Sequence, residues 1–491
     1  MKNKETMEIN ELWSDYQKSE SFIQEQNLIS KTNTYWDMYL GDQWKKLYNK
    51  NFPVFNFIEQ TVLFKISNIA QNKMTPYFDD AELDKKFEDE WEKAKMDSKF
   101  WKLLKHSAIQ GDAYMYLKPN MKDCQIVSNT SVLFADERTT DIQKQRYVII
   151  RERKDVEAIK AKARENGIPE YLVSDINPDK DNDFLLGEDI EEGADKCISI
   201  TYMTKKNGIL YMGKATKDLI YDPLTPMNIT HKGRVLGSMT HYPIVSLVWK
   251  DKPHSARGVS EVWQLMPNQI ELNKTAARQT EVVKLYAYPK IAYDENAVSN
   301  PDDLDAVGGK IAVTGFGQQG ISEYIQYMHP ASMSNDAQYL SNQLLQTTKE
   351  LAGANDAVTG ISDLARVAAS AVEAVREQTT LALRENVEKY KQAIEDFATI
   401  MYELWCIYGE IDSRGTIDIR VDANLQNART REGRQEEINK LLEMDKITFE
   451  EWVELCDETG NVPKADLLDI IEKRKLMPQV IGEEDELPEM Q

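Results

Sequence analysis

The chain has 491 residues, 41% hydrophobic and 29% charged, with 60 basic against 82 acidic side chains and a formal net charge of −22. That length holds about three domains of ordinary size, and the composition suits a packed core under a solvated surface. So acidic a balance argues against a protein that grips nucleic acid by neutralising phosphates, and does not exclude one past which nucleic acid slides. No apolar run approaches the ~20 residues of a membrane span, and no secretory signal follows Met1. The four cysteines, Cys124, Cys197, Cys406 and Cys456, make no CxxC or CxxH pair. They read as reduced thiols rather than a disulfide or zinc framework.

Residues 5–30 predict a polar helix of weak periodicity (Ile9, Leu12, Trp13, Tyr16). An aromatic cluster at 35–44 follows. Asn51-Phe52-Pro53-Val54-Phe55-Asn56 then turns into an amphipathic helix over 57–71, with Ile58, Val62, Phe64, Ile66 and Ile69 on its apolar side and Pro76 ending it. Residues 79–109 predict a second, heavily charged helix with Phe87, Trp91, Phe100, Trp101 and Leu104 inward, its acidic run a solvated face rather than a metal site. From Asp112 the period changes to two. Segments 113–117, 124–127, 131–134 and 147–151 read as short antiparallel strands, 155–166 as an inserted helix and 175–195 as an exposed acidic loop. Strands resume over 197–204, turn at Lys206-Asn207-Gly208, continue over 209–212 and close at 244–249. The fold class is α+β, mainly helical, with a helix-backed antiparallel sheet.

A helix over 258–284 carries Val262, Leu265, Ile270, Asn273 and Ala277, and Pro267 inside it predicts a kink or a short first segment. Segments 286–293, 310–313 and 321–328 are strand-like, and 332–351 reads as a return helix closed by Gly353. The loop Gly353-Ala354-Asn355-Asp356-Ala357-Val358-Thr359-Gly360 leads into one very long helix, 361–408, free of Gly and Pro between Gly360 and Gly409. Leu364, Val367, Ala371, Val375, Leu383, Val387, Tyr390, Ile394, Phe397, Met401, Leu404, Trp405 and Tyr408 recur along it at helical spacing. At 1.5 Å per residue the rod is roughly 70 Å long, so it crosses between layers or lines an assembly.

Searches for chemistry return little. Gly315-Phe316-Gly317-Gln318-Gln319-Gly320 matches GxGxxG, but the alternating stretch after it and the absence of a βαβ unit make it a hairpin loop rather than a dinucleotide site. There is no GxxxxGK[ST] and no GxSxG, and the five histidines (His106, His231, His241, His254, His329) form no HExxH or ligand pair. The expectation is a protein that is not an enzyme, with no catalytic, cofactor or metal residues.

The order of these elements from about residue 35 to about residue 475 resembles the portal proteins of tailed double-stranded DNA bacteriophages. The carriers are Gly41-Asp42-Gln43-Trp44, Pro53-Val54-Phe55-Asn56 with its helix, the β-rich region, Gly258-Val259-Ser260-Glu261-Val262 opening a helix with Asn268-Gln269 and Asn273, and then the β excursion, return helix, glycine-flanked loop and very long helix. The resemblance implies a portal-like architecture: an α+β wing region (1–256), a first stem helix (257–284), a clip (285–331), a second stem helix (332–352), and a tunnel loop with helix start (353–370). The long wing helix and a following strand (371–428), a helical crown (429–476) and an acidic, disordered tail (477–491) complete it. It also implies a ring of about 12 subunits at one capsid vertex, through which double-stranded DNA passes non-specifically. The partners so implied are a terminase packaging motor, major capsid and scaffolding proteins and tail adaptors, with no membrane. The location is the virion, and the host cytoplasm during assembly. Asn355, Asp356, Thr359 and Arg366 are the expected channel-facing residues. Lys274, Arg278 and Lys284 are expected to touch either DNA or a neighbouring subunit's carboxylates. Two other classes remain open: an intracellular scaffold or adaptor assembling through the long helix as a coiled coil, and a metal-dependent nuclease using scattered carboxylates.

Overall fold

The computed structural model describes residues 2–44, 52–70, 74, 76–78, 80–179, 195–231, 234–287, 290–296, 298–300, 313, 325–328, 339, 342–344, 346, 369–409, 411, 419–421, 438–442, 444, 446–449, 452–453 and 467. The glycine motif at 315–320, the tunnel loop with Asn355, Asp356, Thr359 and Arg366, the helix start at 361–368, and most of the return helix and of 429–475 lie outside the described residues. The chain forms two compact units, Met1–Asp422 and Ala423–Gln491.

The first unit opens with two helices, α1 (Lys2–Glu25) and α2 (Leu28–Leu40), where a single helix over 5–30 was the expectation. Asn27 divides them at φ 50, a left-handed conformation that asparagine tolerates. The aromatic cluster is therefore the end of α2. Gly41, at φ +81, closes it, its amide donating to Met38 O and the Asp42 amide to Asp37 O, the double bond of a Schellman cap. Helix α3 (Phe57–Ile69) starts at Asn56, whose side chain accepts from the Glu59 amide. Pro76 does more than stop a helix: it begins β1 (Pro76–Phe78).

Residues 79–109 do not form one helix. They form α4 (Ala81–Lys93), capped by Asp80, and α5 (Met96–Gln110), separated at the exposed Lys95 with φ 51. No glycine or proline announces the break; packing imposes it. Trp91 donates to Asp97 at 2.8 Å and its ring stacks on Phe100 with centroids 5.2 Å apart. In a straight rod those rings would sit about 13 Å apart along the axis.

Strands β2 (Asp112–Tyr116), β3 (Gln125–Val127), β4 (Val132–Phe134) and β5 (Tyr147–Asp155) precede α6 (Val156–Glu165) and the short α7 (Glu170–Val173). Then come β6 (Lys196–Lys206), β7 (Ile209–Ala215), β8 (Ile220–Pro226), β9 (Asn228–His231), β10 (Arg234–Ser238) and β11 (Ile244–Val248). Asn207 and Gly208, both at positive φ, make the β6–β7 turn. Strands β4-β5-β6-β7-β8 form an antiparallel sheet, and β11-β2-β3 a second one. On one face of the larger sheet Tyr147, Ile149, Ile198, Ile200 and Tyr202 receive Tyr16 and Ile23 of α1. Arg151 is buried among them, donating to Glu20 at 2.6 Å and twice to Thr130 O.

Helix α8 (Glu261–Ala287) continues unbroken through Pro267 rather than starting after it. Proline removes the amide that would bond the Trp263 carbonyl, and both residues lie on the exposed side, where the lost bond costs less than it would in the core. Beyond it β12 (Lys290–Tyr293) pairs antiparallel with β13 (Ile325–Met328). Helix α9 (Ala369–Tyr408) follows, and β14 (Ile419–Val421) returns to pair with β1. Val387, Tyr390, Ile394, Phe397, Met401 and Trp405 of α9 are buried, and Phe397 meets Trp91 and Phe100 edge-on at 5.7 and 5.4 Å. Trp405 Nε1 donates to Pro119 O and Asn386 Nδ2 to Trp249 O, tying the helix to both ends of the smaller sheet. Tyr408, the last apolar position of the predicted stripe, is 53% exposed. In the second unit, Trp452 donates to Asn439 and stacks on Phe449, with Ile438 and Val453 buried.

Lys95 is a non-glycine residue in the left-handed region whose side chain lies in solvent. Lys95→Gly is expected to stabilise the protein by up to about 1 kcal/mol, read as a raised denaturant midpoint at unchanged slope.

Candidate functional site at the root of α8

The strongest concentration of buried polar chemistry lies where α8 leaves the sheet region. Arg257, 8% exposed, sits four residues before the helix. Its Nε and Nη2 donate to the two carboxylate oxygens of Glu137 at 2.9 and 2.8 Å, a bidentate fork. Nη1 donates to Asn129 O at 2.7 Å and Asp112 Oδ2 at 3.4 Å, and Nη2 also to Val132 O at 2.7 Å. All five N–H donors of the guanidinium thus have acceptors. Its plane lies over the Phe134 ring, 4.6 Å from the centroid. Burial works against the charge, but Glu137 and the neighbouring Tyr114 and Asp112 together outweigh it and hold the guanidinium pKa above its ordinary value. The weaker contact to Asp112 does not offset burial there: the Asp112 carboxyl is pushed up, although Arg257 and the Tyr114 hydroxyl, 2.7 Å away, favour its charge.

Two glycines let the backbones close over this cluster. A Cβ at Gly258 would stand 2.1 Å from Gly111 O, and one at Gly111, itself at φ +101, 2.7 Å from Gly258 O. Ser260 donates to Ile109 O at 2.5 Å and accepts from the Val262 amide at 3.0 Å, linking the end of α5 to the start of α8. Glu261, 2% exposed, takes Lys65 at 2.7 Å on one oxygen, and Lys250 at 2.8 Å and the Trp249 indole at 2.9 Å on the other. Burial raises this carboxyl, but the two lysines overcome it and bring the pKa down to about 2.

Two to three turns further along, two fully buried amides hold the N-terminal motifs. Gln269 accepts from the Ile58 amide at 3.1 Å and donates to Met38 O at 3.3 Å. Asn273 accepts from the Phe55 amide at 2.7 Å and donates to Gln43 Oε1 at 2.7 Å. Asn56 completes the knot by donating to Tyr39 O. The three short motifs quoted from the sequence, around 41–44, 53–56 and 268–273, therefore meet in one place.

Of the sequence-predicted stem residues, Lys274 and Arg278 share the exposed side of α8, about 40° apart around the axis. Lys274 already pairs with Glu271 of its own helix at 2.8 Å, which draws the Glu271 carboxyl below its ordinary value. Lys284 is exposed on the last turn, about 120° around from Arg278, so the three cations do not form one row. Arg257, Glu137, Asp112 and Glu261 were missed in the sequence. The available signals were charges embedded in apolar strand and helix starts (Asp112 before Ala113-Tyr114-Met115, Arg257 before Gly258-Val259). Among the described residues no three His, Cys, Asp or Glu side chains are placed to hold a metal ion. No described helix is long and apolar enough to cross a membrane.

A family model described as phage P22-like portal protein matches residues 228–408, from β9 through α8 to the end of α9. No match is found among curated proteins. Solved structures similar to the chain include the neck of an empty GTA particle computed with C6 symmetry (12% identity, 78% of this chain and 85% of that chain, TM-score 0.37). The neck of the native GTA particle computed with C12 symmetry gives 11% identity, 84% and 88% coverage and a TM-score of 0.36. The virion of the native gene transfer agent gives 10%, 84% and 89%, and 0.34. Over residues 228–408 the chain is similar to phage portal proteins of the P22-like class, and the resemblance read from the order of its elements is borne out there.

Arg257→Leu leaves Glu137 and Asp112 buried without a counter-charge and is expected to cost about 3–5 kcal/mol. Arg257→Leu with Glu137→Leu should recover a large part of that loss, and chemical denaturation of the two variants measures both.

Proposed function

We propose that this chain is the subunit of a portal ring, which closes around an axial channel at one vertex of a capsid and passes double-stranded DNA during packaging, retention and ejection. The observation that carries the reading is the P22-like portal match over 228–408, the stretch that holds α8 and α9. The ring has about 12 copies, the number usual in the family, related by cyclic symmetry. In this reading α8 is a stem helix, and the rigid seat at its root holds it at a fixed angle to the sheet region. The strands β12 and β13 belong to the clip, which meets the packaging motor and later the tail adaptors. Asn355, Asp356, Thr359 and Arg366 belong to the tunnel loop. The protein is a component of the virion, assembled in the host cytoplasm with capsid and scaffolding proteins, and has no catalytic role. A wall built from chains of net charge −22 favours sliding over adhesion, and the repulsion acts over about 8 Å at physiological salt.

A coiled-coil scaffold fits less well. The described apolar stripe of α9 is covered by Phe87, Trp91 and Phe100 of its own chain.

Native mass spectrometry and negative-stain imaging of the purified protein are expected to show rings with an axial hole; a defined dimer without a hole overturns the conduit reading. Lys274→Glu with Arg278→Glu then separates the two roles of the stem cations. Weaker, less salt-sensitive DNA retention by intact rings assigns them to DNA, whereas loss of ring closure assigns them to the subunit boundary.

A further inference from the structure

Helix α9 is fastened to its own unit at a place unrelated to its aromatic packing. The segment between β10 and β11 presents Thr240 and His241, and Glu403, near the end of α9, accepts from both. Thr240 Oγ1 donates to Oε1 at 2.9 Å, the amides of Thr240 and His241 reach Oε2 at 3.3 Å each, and His241 Nδ1 lies 2.8 Å from Oε1. The Glu403 side chain is 18% exposed and the imidazole 39%. We propose that this contact is a pH-sensitive clasp on the long helix, tight while His241 carries its second proton and loosened when that proton leaves.

The groups that face the imidazole come from two elements. Helix α9 supplies Glu403 and Asp396, and β6 supplies Lys205. The bond to Glu403 raises the imidazole pKa above its ordinary value; burial and Lys205 oppose, and Asp396 supports it. On the carboxylate side burial pushes Glu403 up, but His241 and Thr240 prevail and hold it below the ordinary range. Across neutral pH Glu403 therefore stays ionised and the imidazole alone changes charge. A group whose pKa is raised by folding contributes its stabilisation fully below the unfolded value of about 6.5, and that contribution disappears as pH rises through the raised value. The neutral ring can still donate from Nδ1, so the clasp weakens and does not open completely. The other side-chain ties of α9 described above, Trp405 to Pro119 O and Asn386 to Trp249 O, do not titrate.

Hydrogen exchange of the last turns of α9, corrected for intrinsic rates, tests the clasp on the full chain. Between about pH 6 and about pH 8.5 the wild type should lose several-fold protection there, while His241→Gln, which donates without titrating, should show a flat profile. Asp396→Asn removes an exposed carboxylate outside the clasp bonds and should move the wild-type transition to lower pH. Equal pH profiles in the wild type and His241→Gln, or a transition unmoved by Asp396→Asn, overturn the proposal. Because Asp396 makes no clasp bond, that variant reads the device even where a change at His241 prevents folding.

Discussion

A buried guanidinium with all its donors satisfied is the constraint on which the first unit depends. Arg257 binds Glu137 in a fork and collects the carbonyls of Asn129 and Val132, so one side chain fixes the connection between β3 and β4, the segment after β4, and the entry to α8. Such a cluster adds little net energy relative to a well-packed apolar one, because desolvating the charges offsets most of their attraction. What it contributes is direction. Apolar packing tolerates sliding, whereas five hydrogen bonds from a planar group admit one placement of the chain that carries it.

The rest of the seat repeats this at shorter range. The Gly111–Gly258 contact sets how closely α5 and α8 approach, Glu261 bridges α3 and the chain after β11 through Lys65 and Lys250, and Gln269 and Asn273 clamp the two N-terminal turns. Polar groups at zero exposure leave little slack, because an amide left unpaired in the interior costs more than its bond contributes net. Helix α8 consequently leaves the sheet region with its first four turns immobilised, while its later turns carry Glu281, Val283 and Lys284 in the open.

Much of this was legible in the sequence where structure follows local periodicity. Helices α3, α6 and α8, and α9 from Ala369 onward, follow their apolar spacing, and the Asn207-Gly208 turn follows from the need for positive φ. The break at Lys95 was not legible, because an aromatic stack between side chains nine residues apart imposes it on residues with good helix propensity. Strands β8, β9 and β10 escaped detection for a related reason: Pro223 and Pro226 in β8 and the bulge within β10 disturb the alternation that marks a strand. The motifs around 41–44, 53–56 and 268–273 were visible as strings, but their meaning is tertiary. Asparagine and glutamine are common turn and surface residues, and nothing in their spacing tells that four of them tie the same knot across the chain.

That closure bears on how the molecule is made. Gln43 and Asn273 are separated by 230 positions, and Phe55 and Asn273 by 218. During synthesis the N-terminal helices leave the ribosome long before their clamp exists. Until α8 emerges, Phe55 N and Ile58 N lack the side-chain acceptors they have in the finished arrangement, and remain with water. The first unit therefore cannot mature from its N-terminus forward in the way a chain of local modules does. Its opening helices wait, and the arrival of one late helix turns them from a loose collection into a body.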